Sequence, residues 1–161
     1  MMVMAAGITS EEIRSLGGRT DRRTVRAPGD LRCLVVSGDR GFRGRLEAVS
    51  ELSGSTACET PADAAELVGA VDGEYELVIV DIVHPVGERV NDSVAVAEEF
   101  ASRPGTLLVV CGSEDSVDEE LWARQIGAWV YLPGVSGGDA LMSLFAEARR
   151  VRERRGSLQL V

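Results

Sequence analysis

The stretch Tyr75-Glu76-Leu77-Val78-Ile79-Val80 is apolar and β-branched almost without interruption, and it ends abruptly at Asp81. Such a run predicts a strand buried on both faces. Two buried faces need a covering layer on each side, which restricts the chain to a sheet held between helices. Residues 31–36, 106–111 and 128–132 carry the same signal, and residues 55–59 a shorter version of it.

Helical patterns separate these runs. Phe42, Leu46, Val49 and Leu52 are spaced for one face of a helix. Thr60-Pro61-Ala62-Asp63 predicts a helix start with a capping hydroxyl, proline at the first turn and an acid behind it. Asn91-Asp92-Ser93 is expected to cap a helix to about residue 102, and Ser116-Val117-Asp118-Glu119 reads as a capping box for a helix to Gln125-Ile126. Ser136-Gly137-Gly138-Asp139 opens a last helix striped by Leu141, Leu144, Phe145, Ala148 and Val151. Strand and helix thus alternate five times. With right-handed crossovers this predicts an α/β, flavodoxin-like (βα)5 three-layer sandwich, its five-stranded parallel sheet ordered 2-1-3-4-5.

A chain of 161 residues allows one domain with short extensions. The expected division is a partly disordered N-terminal extension over 1–30, with a short helix near Ser10 and Ile13, a domain over 31–155, and a tail over 156–161. No apolar run approaches the roughly 20 residues of a membrane span, and the first residues lack a basic signal-peptide start. The expected compartment is the cytoplasm, with no membrane partner.

All 17 basic residues are arginine; lysine is absent. Residues 31–148 hold seven arginines against 21 acids. An acidic body opposes phosphate-backbone binding, and the run Arg149-Arg150-Val151-Arg152-Glu153-Arg154-Arg155 reads as the end of the last helix. Nucleic acid is not an expected partner. Cys33, Cys58 and Cys111 are expected to be buried structural thiols. A zinc site is not expected, because His84 is the only histidine.

Val36-Ser37-Gly38-Asp39-Arg40-Gly41-Phe42-Arg43-Gly44 places three glycines between a strand and a helix. Amides at such a helix start can hold a phosphate, and Glu59 closes the second strand where a ribose-binding acid would sit. The stretch resembles the fingerprint of the extended short-chain dehydrogenases. Those enzymes need a Tyr-x-x-x-Lys pair and a longer chain, and they place an apolar residue where Arg43 stands. A nucleotide-binding enzyme using Gly38, Gly41 and Gly44 therefore ranks third among the readings. The spacing Asp81-x-x-His84 before Gly87 does not match the Asp-x-His of cobalamin modules.

Over residues 31–152 the order of elements and two local strings resemble a bacterial response-regulator receiver domain. Tyr75 to Pro85 is similar to that family's third strand, phosphoacceptor aspartate and following loop. Gly127-Ala128-Trp129-Val130-Tyr131-Leu132-Pro133 is similar to its fifth strand. The resemblance implies Asp81 as the phosphoacceptor-like residue and Tyr131 as the switch-like aromatic. It also implies where residues are missing. Ser37 and Gly38 stand where an acid pair holds Mg²⁺, with Asp39 one position too late. Gly112, or Ser113 with a shift of one, stands at the hydroxyl position, and Gly134 at the lysine position.

Without those acids and that lysine, the phosphoryl transition state loses its charge stabilisation. Mg²⁺ binding is not expected, and neither is any other cofactor. The sequence therefore reads as a degenerate receiver, a pseudo-receiver without catalytic activity, acting in signalling as a phosphorylation-independent interaction module. The alternative is an atypical receiver phosphorylated at Asp81. Partner docking or self-association is expected on the face of helix 4, strand 5 and helix 5, where Trp122 and Trp129 are the interface candidates.

Overall fold

A computed structural model of the protein describes residues 31–54, 58–87, 90–134 and 137–158. The extension expected over 1–30 and the end of the chain past residue 158 lie outside the described residues. Strands β1 (Cys33–Val36), β2 (Leu77–Asp81), β3 (Leu107–Gly112) and β4 (Val130–Pro133) alternate with helices α1 (Arg40–Leu52), α2 (Ala64–Val71), α3 (Val90–Ala101), α4 (Val117–Ile126) and α5 (Gly138–Leu158). All four strands are parallel, in the order β1-β2-β3-β4.

The expected second strand is reduced, among the described residues, to one bridge from Glu59 to Leu34 on the free edge of β1. Val35 N–H donates to Glu59 O (2.8 Å) and Glu59 N–H to Cys33 O (2.9 Å). This segment thus occupies the place of strand 2 in a 2-1-3-4-5 order, with a ladder of four strands rather than five; residues 55–57 are outside the described set. The segment is acidic and short, and an edge position asks for little more.

The pleat explains the two cores. Alternate residues of a strand face opposite sides. Cys33 and Val35, Leu77 and Ile79, and Leu107 and Val109 turn toward α1 and α5, where Phe42, Leu46, Leu141 and Phe145 meet them. Leu34 and Val36, Val78 and Val80, and Leu108 and Val110 turn toward α2, α3 and α4, where Leu67, Phe100 and Ala123 meet them. Every residue of β1, β2 and β3 is buried, as the unbroken apolar runs require, whereas β4 is only half-buried at the open edge.

Three helix starts differ from expectation. α1 begins at Arg40, because Asp39 Oδ1 accepts from Gly41 N–H (2.9 Å) and Phe42 N–H (3.3 Å) and caps it. α2 is capped by Asp63, which accepts from Glu66 N–H (2.8 Å), rather than by Thr60. Thr60 Oγ1 donates instead to Glu47 Oε1 (2.6 Å), tying the strand-like segment to α1. α3 already includes Val90, so Asn91, Asp92 and Ser93 lie in its first turn. At the other end, α5 runs through the whole arginine run to Leu158, with Arg152 paired to Glu76 (3.2 Å) and Arg150 and Arg154 to Glu147. No helix among the described residues is long and apolar enough to cross a membrane.

Candidate functional site

In a parallel sheet the loops after the strands gather at one end, and ligand sites form there. Here those loops enclose a cleft of about 210 Å³, lined by Phe42, Asp81, His84, Cys111, Ser113 and Glu114 among others.

Asp81 sits at the end of β2 with 3% of its surface exposed. Its oxygens are fully engaged. Oδ1 accepts from Val83 N–H (3.0 Å) and His84 N–H (3.1 Å). Oδ2 accepts from the Ser37 hydroxyl (2.7 Å) and meets Nδ1 of His84 at 3.0 Å. Ser37 is itself buried, and its Oγ also accepts from Asp39 N–H (3.1 Å). The carboxylate stands between the hydroxyl and the imidazole. A nucleophilic triad needs the imidazole in the middle, so this constellation does not activate Ser37. It is a hub that joins the loops after β1 and β2.

The neighbouring positions are filled by other parts of the chain. A Cβ on Gly38 would lie 2.3 Å from Pro85 O, and Gly38 N–H donates to His84 O (2.6 Å). The loop after β2 therefore occupies the space an acid would need at residue 38. Asp39 is turned into the cap of α1. Gly134 has φ +75°, and a Cβ there would meet the Glu114 side chain at 2.7 Å. An acid thus lies against the position to which the receiver resemblance assigns a lysine.

At the end of β3 a Cβ on Gly112 would lie 2.2 Å from the Tyr131 hydroxyl and 2.7 Å from Glu119 Oε2. Tyr131 donates to Ser113 O (3.1 Å). Glu119 Oε2 accepts from Ser113 N–H (2.7 Å), and Ser113 Oγ meets Glu119 Oε1 at 3.4 Å. The predicted capping box is half formed as a result. Ser116 accepts from Glu119 N–H (3.3 Å), but the Glu119 carboxylate reaches past it to Ser113. Burial first, and then the charge of Glu119, pushes the Tyr131 hydroxyl up from its ordinary pKa and keeps it protonated as a donor.

These donors do not fit a magnesium ion. Mg²⁺ asks for carboxylates in near-octahedral geometry. Asp39 points away, residue 38 is closed by the Pro85 carbonyl, and Asp81 already serves four protein groups. The glycine-rich turn is equally committed: the amides of Gly38, Asp39, Gly41 and Phe42 all donate to protein acceptors. They leave no open nest of the kind that cradles a phosphate.

Cys111 lines the same cleft, and burial, followed by the charge of Asp81, pushes its thiol from 9.0 up to about 12. The sign of the consequence is fixed. The unfolded chain releases this proton near pH 9 and the folded protein holds it to about 12. Stability from this group is therefore complete below pH 9 and falls as pH rises. Between pH 9 and 10.5 the expected loss is about 2 kcal/mol. Cys33, raised by burial, adds in the same direction. Urea unfolding across this range checks it: Cys111→Ala should show a shallower decline than the parent, and identical slopes would refute it.

The two tryptophans lie apart from the cleft. Trp122 on α4 packs against the α2–α4 side of the core and donates Nε1–H to Glu98 Oε1 (3.3 Å). Trp129 precedes β4, packs on the opposite core and donates N–H to Leu108 O (2.8 Å). Both are half-buried. Val117 and Leu121, one helical turn apart on α4, are 68% and 51% exposed.

The structure places Ser37, Gly38, Asp81, Gly112 and Gly134 at one end of the sheet; the residues that fill the space between them are not legible from sequence spacing. From sequence, His84 stands out only as a candidate zinc or cobalamin ligand. Its spacing of three from a strand-ending aspartate was the available signal, since that turn returns a side chain to the carboxylate. From sequence, Glu114 and Glu119 read as part of an acidic docking rim or a solvated helix start, and Glu119 as the acid of a capping box, rather than as side chains of the cleft.

No family model and no curated protein matches the sequence. Solved structures do. A response regulator receiver domain protein (CheY-like) from Methanospirillum hungatei JF-1 aligns with TM-score 0.65 and 20% identity, covering 78% of this chain and 98% of that one. The receiver domain of AraT, a response regulator from Geobacillus stearothermophilus, aligns with TM-score 0.63 and 14% identity over 78% and 98%. The receiver domain of a LuxO repressor protein from Vibrio parahaemolyticus gives 0.63 and 15% over 80% and 97%. The chain has the fold of response regulator receiver domains.

Proposed function

We propose that this protein is a pseudo-receiver: a receiver fold that works as a phosphorylation-independent protein interaction module in signal transduction. The observation that carries this reading is the state of Asp81. Both of its oxygens are engaged by protein groups, and the positions that would hold magnesium and a phosphoryl-binding lysine are occupied by the Pro85 carbonyl and the Glu114 side chain. A phosphoryl group there would face a carboxylate and no ammonium, which opposes rather than stabilises its charge.

Binding then falls to surfaces. We assign partner docking or self-association to the face built by α4, β4 and α5. Its support is the open edge strand, the exposed Val117–Leu121 pair and the two tryptophans. Alanine at Trp122 and Trp129 should weaken partner capture, and full capture by both variants would move the interface elsewhere.

The competing reading, phosphorylation at Asp81, draws on the survival of that residue at the strand end. Incubation with Mg²⁺ and acetyl phosphate, followed by intact mass measurement, separates the two. The expected result is no phosphoryl adduct and no response of tryptophan fluorescence to beryllofluoride. An adduct that disappears in Asp81→Asn would overturn the proposal.

A further inference from the structure

The free edge of β1 brings together two thiols that the receiver-like cleft does not use. The bridge Leu34↔Glu59 sets Cys58 beside Cys33 in parallel register. In-register residues of neighbouring strands share a face, with backbones about 4.8 Å apart, inside the span of roughly 4.4–6.8 Å that a disulfide bridges. The side chains agree. Cys33 is buried in the layer under α1, and Cys58 packs partly exposed against the same layer.

This pair is asymmetric. Hydrogen bonds from Cys33 and then Ser50 hold the Cys58 thiol below its ordinary range, while burial pushes Cys33 well above it. The thiolate, which is the nucleophile, therefore forms on the partly exposed sulfur. Cys111 is no competitor: β3 lies two strands from β1, about 10 Å away, and its thiol stays protonated.

We propose that Cys58 and Cys33 form an oxidisable dithiol site whose substrate is a small hydroperoxide. The Cys58 thiolate attacks the peroxide, the O–O bond breaks, and the leaving hydroxide takes up a proton to become water. Cys58 is now a sulfenic acid. The Cys33 sulfur attacks it, the S–O bond breaks, and the departing hydroxide takes the Cys33 proton as a second water. Two thiols are oxidised to one disulfide and one hydrogen peroxide is reduced to two waters. The cross-link staples the single-bridge edge segment to β1.

The site stands independently of the function proposed above, because it shares no residue with Asp81 or with the α4–β4–α5 face. The test uses the full, reduced chain and stoichiometric hydrogen peroxide. Peptide mapping without reductant should find residues 33 and 58 joined, with the intact mass lower by two hydrogens and restored by dithiothreitol. In Cys33→Ser, dimedone should trap a sulfenic acid on Cys58, while Cys58→Ser should give neither product and Cys111→Ser should leave the cross-link unchanged. In the parent protein Cys58 should alkylate at least about tenfold faster than Cys111, which decides the matter even where a serine variant fails to fold. Equal alkylation rates, a cross-link through Cys111 or between two chains, or one that forms only in urea would overturn the proposal.

Discussion

Gly38→Asp will destabilise the protein by about 3 kcal/mol and will not create a magnesium site. The substitution restores an acid where the receiver resemblance says one is missing. But the first atom of the new side chain would lie 2.3 Å from the carbonyl oxygen of Pro85, which is backbone and cannot swing aside. Relief requires moving the loop after β2. That breaks the Gly38 N–H bond to His84 O and draws the Val83 and His84 amides off Asp81. Each lost backbone bond adds about 1 kcal/mol to the steric cost. Gly44→Ala is the matched control. It lies in α1 with nothing within 4 Å of a new Cβ, so it should gain about 0.5–1 kcal/mol from helix propensity. Urea midpoints compare the two. If Gly38→Asp unfolds within about 1 kcal/mol of the parent, the loop yields easily and the closed site is not an intrinsic barrier to metal.

The second large effect is at Asp81. Asp81→Ala should cost about 3–4 kcal/mol, since it strands a buried hydroxyl and two loop amides together. Asp81→Asn should cost only about 1 kcal/mol. Its carbonyl can keep the Val83 and His84 amides, and its NH₂ can donate to Ser37 Oγ and to Nδ1 of the other imidazole tautomer. The split between these variants distinguishes a hydrogen-bonding hub from a residue kept for its charge. Equal losses in both variants would mean that charge, rather than connectivity, holds the loops.

Much of this arrangement is legible in the chain itself. The unbroken apolar run into Asp81 requires a doubly covered strand, and the structure buries every residue of β2. Of the stripe Phe42, Leu46, Val49 and Leu52, the first three face the core as their spacing predicts, whereas Leu52, at the last position of α1, is 78% exposed. Caps were less legible. Thr60 and Asp63 are both good capping residues, and only the Thr60–Glu47 contact, across 13 positions, decides between them. The second strand was visible by pattern, yet its short acidic edge supports only one bridge among the described residues.

The sequence alone determined the order of the elements, the faces they bury and the placing of Asp81 at the end of a central strand, because each follows from periodicity within a few residues. At Gly38, Gly112 and Gly134 the receiver resemblance implies missing functional groups. Only the tertiary structure decided what those absences are. Each glycine admits a neighbour from another part of the chain: the Pro85 carbonyl, the Tyr131 hydroxyl with Glu119, and the Glu114 side chain. The same holds for Ser37 and Asp81, which meet from 44 positions apart. Strand register and loop path set such contacts, and local residue patterns do not encode them.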